Sequence, residues 1–235
     1  RDERLGDAAH DVPHRPFAGA AGELVKRLDD ADDGAQEADE RRVVADRAEE
    51  QQAFHQGVVA AVRPHPTLNE QDLDELLKQN PQALLLALDQ VTDPHNLGAC
   101  IRTAAAMGVE AVIVARDRSA SLTPTARKIA AGGAEKVKFI QVTNLARTLG
   151  NIKEEFNVRV VGTMLDEKAL PVNEFDFTGT GICVVMGAED TGLRPITQSQ
   201  CDQTVYIPMA GNLQSLNVSV ATGMALYEAC RQRNV

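Results

Sequence analysis

The run Ala83-Leu-Leu-Leu-Ala-Leu88, closed by Asp89, is apolar at every position. A strand with one wet face alternates polar and apolar residues; a short run with no polar face belongs to a strand buried on both sides, as in a parallel sheet with helices above and below. Further short apolar segments follow at Ala111–Ala115, Val137–Val142, Val158–Thr163, Ile182–Met186 and Thr204–Ile207. Helix-forming segments alternate with them. Asn96–Met107 stops at Gly108. Thr123–Ala131 has Pro124 in its first turn and Gly132-Gly133 closing it. Leu145–Phe156, Pro195–Cys201 and Asn217–Arg233 complete the set. This alternation predicts an α/β domain with a parallel sheet. Ligand loops are then expected at the carboxyl ends of the strands.

Three short motifs stand in a fixed order against that frame. The first is Asn96-Leu97-Gly98-Ala99-Cys100-Ile101-Arg102. The second is Gly187-Ala188-Glu189-Asp190-Thr191-Gly192. The third is Ile207-Pro208-Met209 followed by Ser215-Leu216-Asn217-Val218-Ser219-Val220-Ala221. Taken singly, the first also reads as an Asn-capped helix with a surface arginine, and the second as an ordinary glycine turn. The second and third each follow a short apolar run and precede a helical segment. No G-x-G-x-x-G follows a first strand, and neither a Walker loop nor a G-x-S-x-G elbow occurs. A Rossmann dinucleotide pocket, a P-loop enzyme and an α/β hydrolase are thereby disfavoured.

The ordered set resembles the SpoU (TrmH-like) family of SPOUT methyltransferases, from about Phe54 to the C-terminus. It is most similar to the RlmB-like branch, which acts on large-subunit (23S) ribosomal RNA. The resemblance implies methyl transfer from S-adenosyl-L-methionine to an RNA ribose 2′-hydroxyl, expected at a guanosine. It also implies a SPOUT fold with a C-terminal trefoil knot, a rare exception to ordinary connection rules, and a homodimer in which one subunit completes the site of the other. Small residues in the final helix, Ser219, Ala221, Gly223 and Ala225, are compatible with close passage. Leu216, Val220, Met224 and Tyr227 recur at helical spacing and are expected to face the core. The runner-up activity is tRNA 2′-O-methylation. A non-catalytic RNA-binding or ribosome-assembly protein of the same fold is the other class; retention of Arg102 and of the Gly187 loop argues against it.

By the resemblance, the cofactor pocket maps to Gly162 and Thr163, to Met186, Gly187, Ala188, Glu189 and Gly192, and to Ile207, Pro208, Met209, Ser215 and Leu216. The residue types fit this assignment. Glycines admit close backbone approach, and Ile207, Met209 and Leu216 can pack on an adenine. The catalytic candidates are Arg102, Asn96, Glu189, Asn217 and Ser215. Asn96 is expected to cap a helix start, with Gly98 keeping that end uncrowded. Arg102 is the family residue most closely tied to catalysis. A guanidinium stays protonated above pH 12, so a bidentate clamp on an RNA phosphate is the preferred role and a transient base the alternative. Glu189 can accept hydrogen bonds from Asn96, Arg102 or a ribose hydroxyl, or simply brace its own loop. Asn217 can cap the last helix or hold the ribose.

Charge bears on the RNA assignment. The net charge is −10, but residues 1–50 carry 15 acidic and 8 basic side chains, a balance of −7. The other 185 residues carry 19 and 16, a balance of −3. Local basic pairs can still meet phosphate: Arg116 with Arg118, Arg127 with Lys128, and Lys136 with Lys138. Residues 1–50 hold few apolar side chains and no Ile, Ser, Thr, Asn, Tyr, Met or Cys. Such composition buries too little to offset ordering entropy. Residues 1–62 therefore read as an atypical or degenerate counterpart of the family's small N-terminal α/β RNA-binding domain. Residues 63–82, with three prolines and a short amphipathic stretch (Leu73, Leu76, Leu77), read as a linker with a turn or two of helix. Residues 83–235 are the expected methyltransferase domain. Cys100, Cys183, Cys201 and Cys230 are widely spaced and read as reduced thiols of a cytoplasmic protein. No metal site is expected. No apolar run approaches the roughly 20 residues a membrane span needs, and no secretory start is expected.

Overall fold

The computed structural model describes residues 67–211 and 215–234. Its strands are β1 (Leu84–Asp89), β2 (Ala111–Ala115), β3 (Lys138–Val142), β4 (Arg159–Thr163), β5 (Leu170–Pro171), β6 (Ile182–Gly187) and β7 (Gln203–Tyr206). They form one parallel sheet in the order β3-β2-β1-β6-β4-β7-β5. Its helices are α1 (Glu70–Gln79), α2 (Pro94–Ala106), α3 (Pro124–Ala130), α4 (Leu145–Phe156), α5 (Pro195–Gln198) and α6 (Val218–Arg233), with a 3-10 turn at Gly133–Glu135.

The apolar run of β1 does what its composition demands. All six residues are buried. Leu84, Leu86 and Leu88 enter one core with buried residues of α2, α3 and α6. Leu85 and Ala87 enter the other, with Leu73, Leu76 and Leu77 of α1 and Leu145, Leu149 and Ile152 of α4. Side chains alternate across a strand, so one unbroken run serves two layers. The result is a three-layer α/β arrangement, with the carboxyl ends of the strands along one edge.

Several elements differ from expectation. The stretch read as linker holds a ten-residue helix, α1. Asn69 Oδ1 accepts from the Gln71 and Asp72 amides at 2.8 and 3.4 Å, and Asp72 Oδ2 accepts from the Asn69 amide at 2.8 Å. This reciprocal cap stabilises the first turn. Burying its three leucines at the core, each worth about 1.5–3 kcal/mol, outweighs the polar flanks. Just before it, Leu68 bridges Ile140 and extends the β3 edge. Strand β5 is two residues long, too short to leave a periodic signal. The helix expected over Pro195–Cys201 ends at Gln198.

The final helix presents a different face from the expected one. Val220, Met224 and Tyr227 are 47, 45 and 60% exposed. The buried face is Val218, Thr222, Ala225, Leu226, Ala229 and Cys230. This helix is apolar or small on most sides, so spacing alone offers two candidate faces. The buried face is the one with the smaller side chains, and Gly223 beside it meets α2, where a Cβ would make ordinary contact with Thr103 Cγ2 at 3.7 Å. Among the described residues no helix is long and apolar enough to cross a membrane. Residues 1–62, with the RNA-binding role considered for them, lie outside the described residues.

Candidate active site

The second motif owes its glycines to geometry. A Cβ on Gly187 would lie 2.2 Å from the Gly192 carbonyl carbon and 2.5 Å from the Leu193 nitrogen, so no larger residue fits. Gly192 has φ +64°, a left-handed conformation that glycine adopts without a steric penalty. The Gly192 amide donates to the Ala188 carbonyl at 2.9 Å. The loop after β6 is thus folded tightly back on itself, with Glu189 at its outer turn.

Glu189 is exposed, yet one of its oxygens is a hub. Oε1 accepts from Asn96 Nδ2 at 3.2 Å, from the Val218 amide at 3.1 Å, and from Asn217 Nδ2. Asn217 Nδ2 also donates to Asn96 Oδ1 at 3.0 Å. Asn217 is the N-cap of α6, its Oδ1 accepting from the Ser219 amide at 3.0 Å and the Ser219 hydroxyl at 2.6 Å. Three residues from three motifs, far apart in sequence, therefore meet at one point. Asn96 gets there from the first turn of α2 and not from its cap. The cap is Asp93, whose carboxylate accepts from the His95 amide at 3.0 Å, and Pro94 takes the first helical position. An N-cap carboxylate suits the helix dipole and leaves Asn96 free to reach the loop.

Beside this hub lies a cavity of about 520 Å³, within the roughly 300–1,000 Å³ of small-molecule sites. Thr163, Met186, Gly187, Ala188, Glu189, Gly192, Ile207, Met209, Ser215 and Leu216 all line it, as do Thr191 of the second motif and Leu165, Val205 and Tyr206, which the motifs did not include. Its walls mix apolar side chains with the backbone of three loops. Gly162 and Pro208 are not among the lining residues. Gly162 serves packing: a Cβ there would meet Leu193 Cδ1 at 2.7 Å and Cys201 Sγ at 2.8 Å. Thr163 Oγ1 donates to the Val185 carbonyl at 3.0 Å, which turns its polar atom into the sheet.

Arg102 stands apart from the hub. Six residues turn a helix by about 240°, so Asn96 and Arg102 project in different directions from α2. Arg102 is exposed and forms no ion pair among the described residues. Gly98 does not keep the helix end open. It is the contact point for α3: a Cβ would lie 2.5 Å from the Ala126 carbonyl oxygen. Of the basic pairs, Arg116 and Arg118 follow β2 at the carboxyl edge, whereas Lys136 and Lys138 stand where β3 begins, at the opposite edge. Arg127 pairs with Glu135 at 3.5 Å.

Three further residues were not among the site candidates. Asp89, fully buried at the end of β1, binds Arg194 through the Arg194 amide at 3.0 Å and Nε at 2.7 Å. An acid closing an apolar strand was the available signal. Asp166 anchors the loop after β4, accepting from the Lys168 amide and from the Thr204 and Gln198 side chains at 2.8–3.2 Å. Those bonds, the Lys168 amide first, hold its carboxyl below the usual aspartate range. Cys100, buried next to the hub, has its thiol pushed up to about 11, chiefly by desolvation and further by the Glu189 charge. Among the described residues no group of three or more His, Cys, Asp or Glu side chains is placed to hold a metal.

The SpoU rRNA Methylase family model matches residues 83–227. A 23S rRNA (guanosine-2′-O-)-methyltransferase RlmB from Acinetobacter baylyi is 84% identical over 180 residues, covering 77% of this chain and 72% of that protein. The RlmB of Escherichia coli is 52% identical over 182 residues, covering 77% of this chain and 74% of its own length. Among solved structures, the SpoU methyltransferase AviRb from Streptomyces viridochromogenes in complex with AdoMet is 30% identical, with a TM-score of 0.62. That match covers 68% of this chain and 64% of AviRb. The TrmH/SpoU tRNA modifying enzyme of A. aeolicus is 32% identical, with a TM-score of 0.59, covering 70% of this chain and 84% of its own.

Proposed function

Because the chain belongs to the SpoU rRNA methylase family, we propose that it methylates the 2′-hydroxyl of a guanosine ribose in 23S ribosomal RNA. The RlmB relatives support that substrate. The observation that carries the reading is the meeting of Asn96, Glu189 and Asn217 at the rim of a loop-walled cavity. S-adenosyl-L-methionine is the cofactor. When bound, it supplies an electrophilic methyl group on a sulfonium centre.

The chain's own residues fit that group. Met186, Ile207, Met209 and Leu216 offer apolar walls to an adenine, and the loop backbones offer donors and acceptors. Gly187 and Gly192 keep the loop close-folded, so the cavity keeps its shape before ligand arrives. Such preorganisation lowers the entropic cost of placing two substrates. Glu189 and Asn217 hold each other and brace the start of α6, leaving Asn96 and Asn217 at the rim to orient a ribose. Arg102 clamps an RNA phosphate through two parallel donors and offsets charge building on the attacking oxygen. The hydroxyl proton leaves to that phosphate or to water.

The same proposal includes a homodimer. Val220, Met224 and Tyr227 form an outward stripe on α6, and Gly223 of the same helix meets Thr103, the residue after Arg102 in α2. Association through this face brings Arg102 of one subunit toward the other's cavity. A contact of this kind buries on the order of 1,500 Å². A monomer in sedimentation with full activity would remove it. The expected knot also stands as a proposal. Its support is that Gln232 and Arg233, at the end of α6, bond the Phe175, Phe177 and Thr180 carbonyls in the connection between β5 and β6. A cytoplasmic location goes with the ribosomal substrate. The enzyme body extends back to Thr67, since α1 belongs to its core.

Ribose-methylation mapping of total RNA, with and without the protein, tests the substrate. Loss of one 23S guanosine methylation is expected. Loss confined to tRNA would transfer the assignment to the tRNA enzymes.

A further inference from the structure

The far end of the 188–193 loop is held by a single buried carboxylate. Asp89 ends the central strand β1, and its side chain is 1% exposed. On one side Asp89 stands in register with Gly187, the residue at which β6 gives way to the loop. On the other it accepts from Arg194, two residues beyond Gly192. The Arg194 amide reaches Oδ2 at 3.0 Å, Nε reaches Oδ1 at 2.7 Å, and Nη2 lies 2.7 Å from Oδ1. The segment 188–193 thus begins beside the Asp89 backbone and ends on the Asp89 carboxylate. Asp89 does not line the cavity, whereas Gly187, Ala188, Glu189, Thr191 and Gly192 do.

A carboxylate taken out of water is costly unless it is paired and its oxygens are satisfied. Here every bond that satisfies Asp89 comes from the residue that ends the loop, so the charge is stable only while the loop is closed. Arg194 also opens α5 as its N-cap residue, and Leu193 between them is 5% exposed, which anchors the same junction. The remaining loop residues are exposed or half-exposed and have little packing of their own.

We propose that Asp89 and Arg194 are a positioning pair: the ion pair holds the 188–193 loop in its binding shape and so sets cofactor affinity. This rests on the methyltransferase reading given above. Neither residue touches the reacting atoms.

The test uses the full chain with S-adenosylhomocysteine in calorimetry, and variants Asp89→Asn, Arg194→Gln and the double change. Each single change is expected to raise the dissociation constant about ten-fold or more, and the double change by no more than the larger single, because both remove the same interaction. Amide hydrogen exchange provides an arm without ligand. Residues 188–193 lose protection in each variant while β1 and β2 keep theirs, as local opening requires. Folded variants with wild-type affinity and unchanged loop exchange overturn the pair. Multiplying effects in the double change overturn it as well. Should Asp89→Asn not fold, Arg194→Gln, at the half-exposed partner, decides alone. A wild-type chain that binds no S-adenosylhomocysteine overturns the methyltransferase reading, and the exchange arm then judges the pair by itself.

Discussion

Asn217 donates a side-chain hydrogen bond to Asn96 Oδ1 across 3.0 Å, although 121 residues separate the two. The same amide group also donates to Glu189, and the Asn217 oxygen caps α6. One residue therefore couples the start of a helix to the rim of the site. Asn217→Asp separates these roles. It keeps the capping oxygen but sets a second carboxylate against Glu189, so α6 stays formed while the hub opens. We expect a fall in methyl transfer of roughly 10²-fold, the scale of a misplaced site. Asn217→Ala also loses the cap, about 0.5–2 kcal/mol of stability. Turnover and thermal melting measured together check both, and an Asp variant with near-normal turnover would refute the hub's role.

Arg102→Ala should abolish methyl transfer and leave cofactor affinity nearly unchanged, since Arg102 does not line the cavity. Arg102→Lys should also be poor, because a point charge does not reproduce a planar two-donor clamp. Near-normal turnover in the Lys variant rules out the clamp. Lost cofactor binding in the Ala variant would place Arg102 in the pocket.

Cofactor binding should survive removal of residues 1–66 and fail on removal of residues 1–81. The second cut deletes α1 and uncovers the core that Leu73, Leu76 and Leu77 close. Leu77→Ala in the full chain, at a fully buried position, should cost about 2–5 kcal/mol by the lost burial and the cavity left behind. Calorimetry and denaturant melts of the two fragments decide the matter. A stable 82–235 fragment with full affinity would show α1 to be dispensable.

Acid should weaken the C-terminal helix through Glu228. Its carboxyl is held down to about 2, first by the Arg231 side chain and then by Gln232, against burial, which acts the other way. In the unfolded chain it titrates near 4.5. The stabilisation is present in full above 4.5 and is lost as the pH falls toward about 2. Glu228→Gln should flatten the stability profile in that window and leave its shape unchanged near neutrality. An unaltered acid limb in the variant would show that Glu228 does not contribute to it.

Much of the sheet was legible because burial on both faces leaves a local mark. β1, β2 and β6 are runs that only a doubly covered strand tolerates, and their observed ends lie within a residue of the expected ones. The glycines of the second motif were legible as a turn. Their cause, contact of Gly187 with the Gly192 backbone, was not, since a glycine records freedom and not its use. α1 was underestimated because its three leucines sit among charged residues, and their value comes from a core supplied by α4 and β1.

The sequence by itself determined the alternation of the main strands and helices, the parallel sheet, the family and most of the residues that gather in the three loops, because each rests on local pattern or on residues present in a motif. Only the tertiary structure decided which face of α6 is buried, that Asn96 and not Arg102 joins Glu189 and Asn217, and that the Asp89 carboxylate binds Arg194 at the end of the 188–193 loop. Those facts depend on how helices rotate against one another and on strand register between residues about a hundred positions apart. Helical spacing permits more than one rotation of α6, and only close packing against α2 selects among them.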